Sequence, residues 1–192
     1  MVTSHRDRLI EEAGRLFGES GFHAVPLDAI LRAAGTTKTT FYKHFESKDQ
    51  LALICLQNCR EEWWGWIEEE LGQLGAVDPV DRIRGFFRLL NERFEGRSGI
   101  LCPGFVACGE FPHPSDPRNE FGRESLREIE RRLRDWLRQA GSSAADRLAT
   151  ELALMAKGAI LHEVANRRGV SAAVAAEMAD RLLDQHFSPA EA

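Results

Sequence analysis

The stretch LDAILRAAGTTKTTFYKHF, residues 27–45, resolves into two short helices joined by a tight turn. Leu27, Ile30, Leu31 and Ala34 fall on one face of the first helix. Gly35 follows, where a helix C-terminus favours a residue tolerant of positive φ. Thr37 offers a hydroxyl to cap a second helix, Lys38 to Phe45. On that helix Phe41 and Phe45 are one turn apart and face inward, while the pairs Lys38–Tyr42 and Thr39–Lys43 lie on the opposite side. A short helix with two aromatics behind it and Lys, Thr, Tyr and Lys in front is shaped to enter a DNA major groove. The reading is a helix-turn-helix.

Upstream, residues 5–20 carry Leu9, Ile10, Ala13, Leu16 and Phe17 at helical spacing, and Gly21 ends that helix. Its apolar stripe is expected to pack on Ile30, Phe41 and Phe45. Downstream, Ser47-Lys48-Asp49-Gln50 reads as a capping box that opens a long helix running to about Leu74. Gly72, Gly75 and Asp78-Pro79 break the pattern, and Pro79 suits the first turn of a helix over 80–95. Residues 96–121, rich in Gly, Pro and aromatics, read as loops around one short helix from Phe105 to Glu110. A charged amphipathic helix then runs from Pro117 to about Ala140, and two final helices span 144–168 and 171–187. No strand signal and no internal repeat is present. The expected fold is all-α: an N-terminal three-helix DNA-binding head, residues 1–47, followed by a larger helical ligand-binding and dimerisation domain, residues 48–192.

The motif region resembles the N-terminal signature of the TetR family of bacterial transcriptional regulators. Gly35-Thr36-Thr37-Lys38-Thr39-Thr40-Phe41-Tyr42-Lys43-His44-Phe45, with Lys48 and Leu51, is similar to the family pattern G-V-S-x-G-x-x-Y-x-H-F-x-x-K-x-x-L. The likeness extends back through Ala13, Phe17, Gly21, Phe22, Ile30 and Ala34. It implies that Thr37, Thr39, Tyr42, His44 and Lys48 touch backbone phosphates or nearby groups. Lys38 and Lys43 are the candidates for base edges, since Lys pairs with guanine O6 or N7. The threonine methyls, those of Thr36 and Thr40 included, suit thymine. Two positions depart from the pattern. Thr39 stands in place of the usual Gly, and Pro26 stands where a Ser or Thr commonly caps the first helix and contacts phosphate. Both are expected to alter operator preference rather than abolish binding.

Charge agrees with a specific regulator. The chain has 192 residues and a formal net charge of −5. Residues 1–50 hold seven positive and seven negative side chains, so the acidic excess falls in residues 51–192. A neutral head on an acidic body does not fit non-specific coating of nucleic acid, which rests on phosphate neutralisation. No apolar run of signal-peptide kind follows MVTSHRDR and nothing approaches a membrane span, so a soluble cytoplasmic protein without a membrane partner is expected.

The rest of the chain carries weaker signals. The resemblance implies ligand-induced release from DNA, and aromatics are numerous enough to line a pocket: Trp63, Trp64 and Trp66, then Phe86, Phe87 and Phe94, then Phe105 and Phe111. The pocket candidates are Trp63, Trp66, Phe86, Phe87, Cys102, Phe105 and Phe111; for any one of them an ordinary apolar core is the more common explanation. Glu61, Glu62 or Glu110 would suit a cationic inducer. Small residues along the last two helices allow close approach, either within a terminal hairpin or, as the resemblance implies, across a homodimer. A two-fold dimer would read two half-sites in a palindromic operator of double-stranded DNA.

Cys102, before Pro103 and the short helix, is the cysteine best placed for a lowered pKa, so a redox- or electrophile-sensing regulator is one alternative. A helical protein-interaction module with a vestigial helix-turn-helix is another. Six His and four Cys show no zinc-ligand spacing, and His162-Glu163 does not extend to H-E-x-x-H because residue 166 is Asn. No nucleophile with a base, paired carboxylates or phosphate-binding Gly loop is discernible. Neither catalysis, a metal nor a cofactor is expected.

Overall fold

A computed structural model describes residues 4–95, 103–166 and 170–187. The described residues form helices and connections, with no strand. In chain order the helices are α1 (His5–Ser20), α2 (Leu27–Ala33), α3 (Lys38–His44), α4 (Lys48–Gln73), α5 (Pro79–Glu95), α6 (Pro103–Glu110), α7 (Pro117–Gln139), α8 (Ala145–Asn166) and α9 (Ser171–Phe187).

Local chemistry sets the ends of these helices. Ser4 caps α1 through a reciprocal box: its hydroxyl accepts from the Asp7 N–H at 3.1 Å, and the Asp7 carboxylate accepts from the Ser4 N–H at 3.3 Å. The expected box at α4 is only half formed. The Ser47 hydroxyl accepts from the Gln50 N–H at 3.1 Å, but the Gln50 side chain reaches one residue further back, to the Glu46 N–H at 2.7 Å. Pro79 opens α5 while Asp78 caps it, accepting from the Val80 N–H at 2.8 Å. α6 begins two residues earlier than expected, at Pro103, again a proline suited to a first turn.

The chain packs as two compact units whose boundaries fall inside α4 and α7. The first holds residues 1–63 and 102–123. Its core joins Leu9, Ala13 and Phe17 of α1 to Ile30, Leu31, Phe41 and Phe45, then to Leu51, Cys55 and Leu56 of α4. Ala107, Phe111 and Phe121 complete it. Phe22 bridges Phe17 and Phe111, with ring centroids 4.5 and 5.1 Å away. Full burial of each large apolar side chain contributes roughly 1.5–3 kcal/mol, so the aromatics dominate this small core.

The second unit holds residues 64–101 and 124–192. Trp64 stacks on Phe86 at 6.1 Å, and Phe86 meets Trp136 at 6.4 Å. Arg132 lies over Trp64 and Arg82 over Trp136, 4.1 and 5.2 Å from the ring centroids. α9 packs against both α5 and α8. Arg84 of α5 forks onto Asp180 and Asp184 of α9 at 2.8 and 2.6 Å. Ala156, Ala159, Ala172, Ala175 and Ala179 are buried in this packing. Among the described residues no helix is long and apolar enough to cross a membrane.

Candidate nucleic-acid interface

α2 and α3 are held as a right-shaped pair by their turn. Gly35 sits at φ 59°, and the Thr36 N–H closes back onto the Leu31 carbonyl at 3.0 Å. This is the six-to-one bond of a glycine-terminated helix. A residue with a Cβ is strained at such a φ. Thr37 then caps α3 by accepting from the Thr40 N–H at 3.2 Å, and its hydroxyl also pairs with that of Thr40 at 3.1 Å. Pro26 precedes α2 and makes no side-chain cap.

The back of α3 is closed. Phe41 and Phe45 are buried, their centroids 5.4 Å apart. The front is open: Lys38, Thr39, Tyr42 and Lys43 are exposed, with Tyr42 57% accessible and edge-on to Phe41 at 5.2 Å. His44 is exposed as well. Thr36 and Thr40 are half-buried beside the turn, and Thr37 is exposed. One exposed carboxylate borders this face, Asp28 of α2, whose Oδ1 lies 3.8 Å from the Lys38 Nζ.

Lys48 stands apart from the other residues named for DNA. Its ammonium is turned inward and donates to the Phe22 and Val25 carbonyls at 2.7 and 2.5 Å, using two of its three N–H groups. Burial pushes its pKa below the usual lysine value. It ties the first turn of α4 to the connection between α1 and α2. The same connection is gripped from the far side of the sequence, where the His23 Nε2 bonds to the Glu110 carbonyl at 2.7 Å and the His23 ring faces Phe111 at 5.4 Å. Arg118 lies over Phe111, 3.9 Å from its centroid. It donates to Asp49 at 2.5 Å and forks onto Asp116 at 2.7 and 2.9 Å. That fork holds the Asp116 carboxyl down at about 2. Sequence periodicity gave no hint of these pairings, because they join residues 69 and 87 positions apart.

The residues named for a ligand pocket are distributed over both units. Trp63 and Phe111 belong to the first unit and are buried, Phe111 between Phe22, His23 and Arg118. Trp66, Phe86 and Phe87 belong to the second. There Phe86 and Phe87 meet edge-on at 5.5 Å in the core, and Arg93 lies 4.7 Å over half-buried Trp66. Cys102 lies outside the described residues, as does the side chain of Phe105. Burial pushes the Cys55 thiol up to about 12 and that of Cys108 above its ordinary value, so neither favours the reactive thiolate. Among the described residues no group of three or more His, Cys, Asp or Glu could hold a metal ion.

A capped helix, anchored by two aromatics and presenting Lys, Thr, Tyr and Lys outward from a glycine turn, defines a helix-turn-helix DNA-binding protein. Residues 9–54 match the family model for bacterial regulatory proteins, tetR family. That stretch carries a TetR-family DNA-binding domain, and the chain is similar to transcriptional regulators of that family. It is similar to the HTH-type transcriptional regulator LmrA of Bacillus subtilis, 28% identical over 163 residues that cover 81% of this chain and 84% of that protein. It is also 28% identical over 127 residues to the HTH-type transcriptional repressor DhaR of Mycobacterium sp., covering 66% of this chain and 60% of the relative. Its fold matches the crystal structure of SCO4454, a TetR-family transcriptional regulator from Streptomyces coelicolor, with a TM-score of 0.84, 22% identity and 95% of both chains covered.

Proposed function

We propose that the protein is a homodimeric repressor, acting in the cytoplasm, that leaves a palindromic operator when a small molecule binds its C-terminal domain. The observation that carries this reading is the open polar face of α3 set on a closed aromatic back. Residues 1–47 serve as the DNA-binding domain and residues 48–192 as the ligand-binding and dimerisation domain. On DNA, Thr37, Thr39, Tyr42 and His44 seat the helix on phosphates. Lys38 and Lys43 reach base edges, and the methyls of Thr36 and Thr40 flank them. Lys48 acts chiefly by positioning, since its ammonium already holds the Phe22 and Val25 carbonyls.

Repression is supported by DhaR, which is described as a repressor. Dimerisation is supported by an exposed apolar row on the last two helices: Leu154 and Leu161 on α8, then Val174 and Met178 on α9. Signalling works through α4. A shift of its first turn would carry the Lys48 clamp, and with it the connection that orients α2. The inducer must prefer the non-binding conformation, because affinity alone shifts no equilibrium. Trp66, Phe86 and Phe87, which share the second unit, are aromatic candidates for its site.

The test is anisotropy of purified protein against tiled duplexes from its own upstream region, at two salt concentrations, with unrelated duplex as competitor. Saturable, competitor-resistant binding to a palindromic tile is expected. The double variant Tyr42→Ala/Lys43→Ala is expected to lose at least about 100-fold of that affinity, as two base- or phosphate-contacting side chains go. Weak binding to every tile that vanishes with salt, unchanged in the variant, would sink the reading and favour an interaction module.

A further inference from the structure

The exposed carboxylate of Asp28 needs an explanation, because it is the only acidic residue between Ser20 and Phe45, a stretch that also carries Arg32, Lys38 and Lys43. Asp28 lies in the first turn of α2, where a carboxylate complements the helix dipole, but on a surface that meets a phosphate backbone the same charge opposes DNA. Asp28 makes no N-cap for α2, a position occupied by Pro26. Its side chain is 77% accessible, and its Oδ1 stands 3.8 Å from the Nζ of Lys38, itself 63% accessible. So exposed a pair adds little to folding stability. Its consequence must appear when DNA approaches.

Resting on the regulator reading above, we propose that Asp28 is a specificity residue that positions Lys38, holding its ammonium off the phosphates and aiming it at base edges. Lysine is a point charge on a flexible stem, able to settle on any nearby phosphate oxygen. Contacts of that kind raise affinity for every sequence alike and carry no sequence information. A carboxylate beside the ammonium is repelled by the phosphates and attracted to the lysine. The pair therefore favours the floor of the groove, where guanine O6 and N7 accept from lysine. Lys38 lies in the first turn of α3, the end that enters the groove in helix-turn-helix proteins. Asp28 thus exchanges general affinity for discrimination.

The experiment compares the full-length wild type with Asp28→Asn, Asp28→Glu, Lys38→Gln and the double variant Asp28→Asn/Lys38→Gln. Affinity for the operator tile and for a scrambled duplex is measured by anisotropy across a salt series, with thermal melting as a check on folding. Asp28→Asn is expected to bind scrambled duplex about tenfold tighter, with the log–log salt slope steeper by about 0.9, the signature of one added phosphate contact. The ratio of operator to scrambled affinity should fall. Asp28→Glu should stay near wild type, and the double variant should lose the added slope. Lys38→Gln alone reads the same idea without touching Asp28: operator affinity falls while the slope on scrambled duplex stays put.

An unchanged slope and ratio in Asp28→Asn would overturn the proposal. So would a loss of operator affinity alone, since Asp28 would then be reading a base itself. The slope on scrambled duplex needs no operator, so this result stands even if no tile binds specifically, an outcome that would count against the regulator reading instead.

Discussion

Two helix pairs of this chain, α2–α3 and α8–α9, bury one side in the same way and leave opposite chemistry on the other. In α2–α3 the outward residues are Lys38, Thr39, Tyr42 and Lys43, and the inward ones Ile30, Leu31, Phe41 and Phe45. In α8–α9 the inward residues are largely alanines. Outward stand Leu154 at 65% accessibility, Leu161 at 56%, Val174 at 45% and Met178 at 41%. Exposed polar side chains at a groove-sized helix fit a charged polymer. Exposed apolar side chains one or two turns apart fit another apolar face. The small residues of α8 and α9 are buried in their own unit, so the face proposed for a partner is made of Leu, Val and Met.

The largest effect separates the two pairs. Leu161→Glu combined with Val174→Glu places unpaired carboxylates in the proposed subunit contact, where desolvated charge is costly. The variant is expected to be monomeric at micromolar concentration in sedimentation velocity, with its melting temperature little changed because both positions are exposed. Operator affinity should fall by more than about 100-fold, since one head alone loses the second half-site. A dimer that persists would move the subunit contact away from α8–α9.

The turns of the two pairs differ as well. α3 is capped from within, by Thr37 at its own N-cap. α9 follows Val170, which has no capping atom, and its first N–H, on Ser171, is instead accepted by the buried carboxylate of Glu163 at 2.6 Å. His162 bonds to the Ser171 hydroxyl beside it. Glu163→Ala leaves that N–H without its acceptor and should destabilise the protein by about 2–3 kcal/mol, a charged hydrogen bond plus desolvation. Urea unfolding measures it. A loss under about 0.5 kcal/mol would mean that water replaces the carboxylate at no penalty.

These examples mark how much the residues alone revealed. Helices whose apolar residues repeat at 3.6 were legible almost to their ends, and so was the split of α3 into an aromatic back and a polar front, because both depend on neighbours within two turns. The α1 capping box is legible too, in Ser4-His5-Arg6-Asp7. The setting of Lys48 was not: the family resemblance groups it with the DNA contacts, while the Phe22 and Val25 carbonyls, 26 and 23 residues away, draw its ammonium inward. The surroundings of Phe111 were hidden for the same reason. Nothing near it in sequence announces that Phe22, His23 and Arg118 enclose it. Local pattern reports which face is apolar; only the fold reports what that face meets.

Thr37 gives the smallest and most diagnostic effect, because the hydroxyl that caps α3 is also the one proposed to meet a phosphate. Thr37→Ala removes the acceptor for the Thr40 N–H and should cost about 1 kcal/mol, while also weakening operator binding, which leaves the two roles entangled. Thr37→Asp separates them. Aspartate is as good an N-cap as any residue, and its charge complements the helix dipole, so stability should hold or rise slightly. The same charge faces the phosphate that Thr37 is proposed to contact, so affinity should fall at least about tenfold at low salt and partly recover as salt screens the repulsion. Unfolding midpoints and anisotropy on the same preparations decide it. If Thr37→Asp binds operator as wild type does, the start of α3 does not lie against the backbone, and the polar face that distinguishes α2–α3 from α8–α9 must meet DNA further along, at Tyr42 and Lys43.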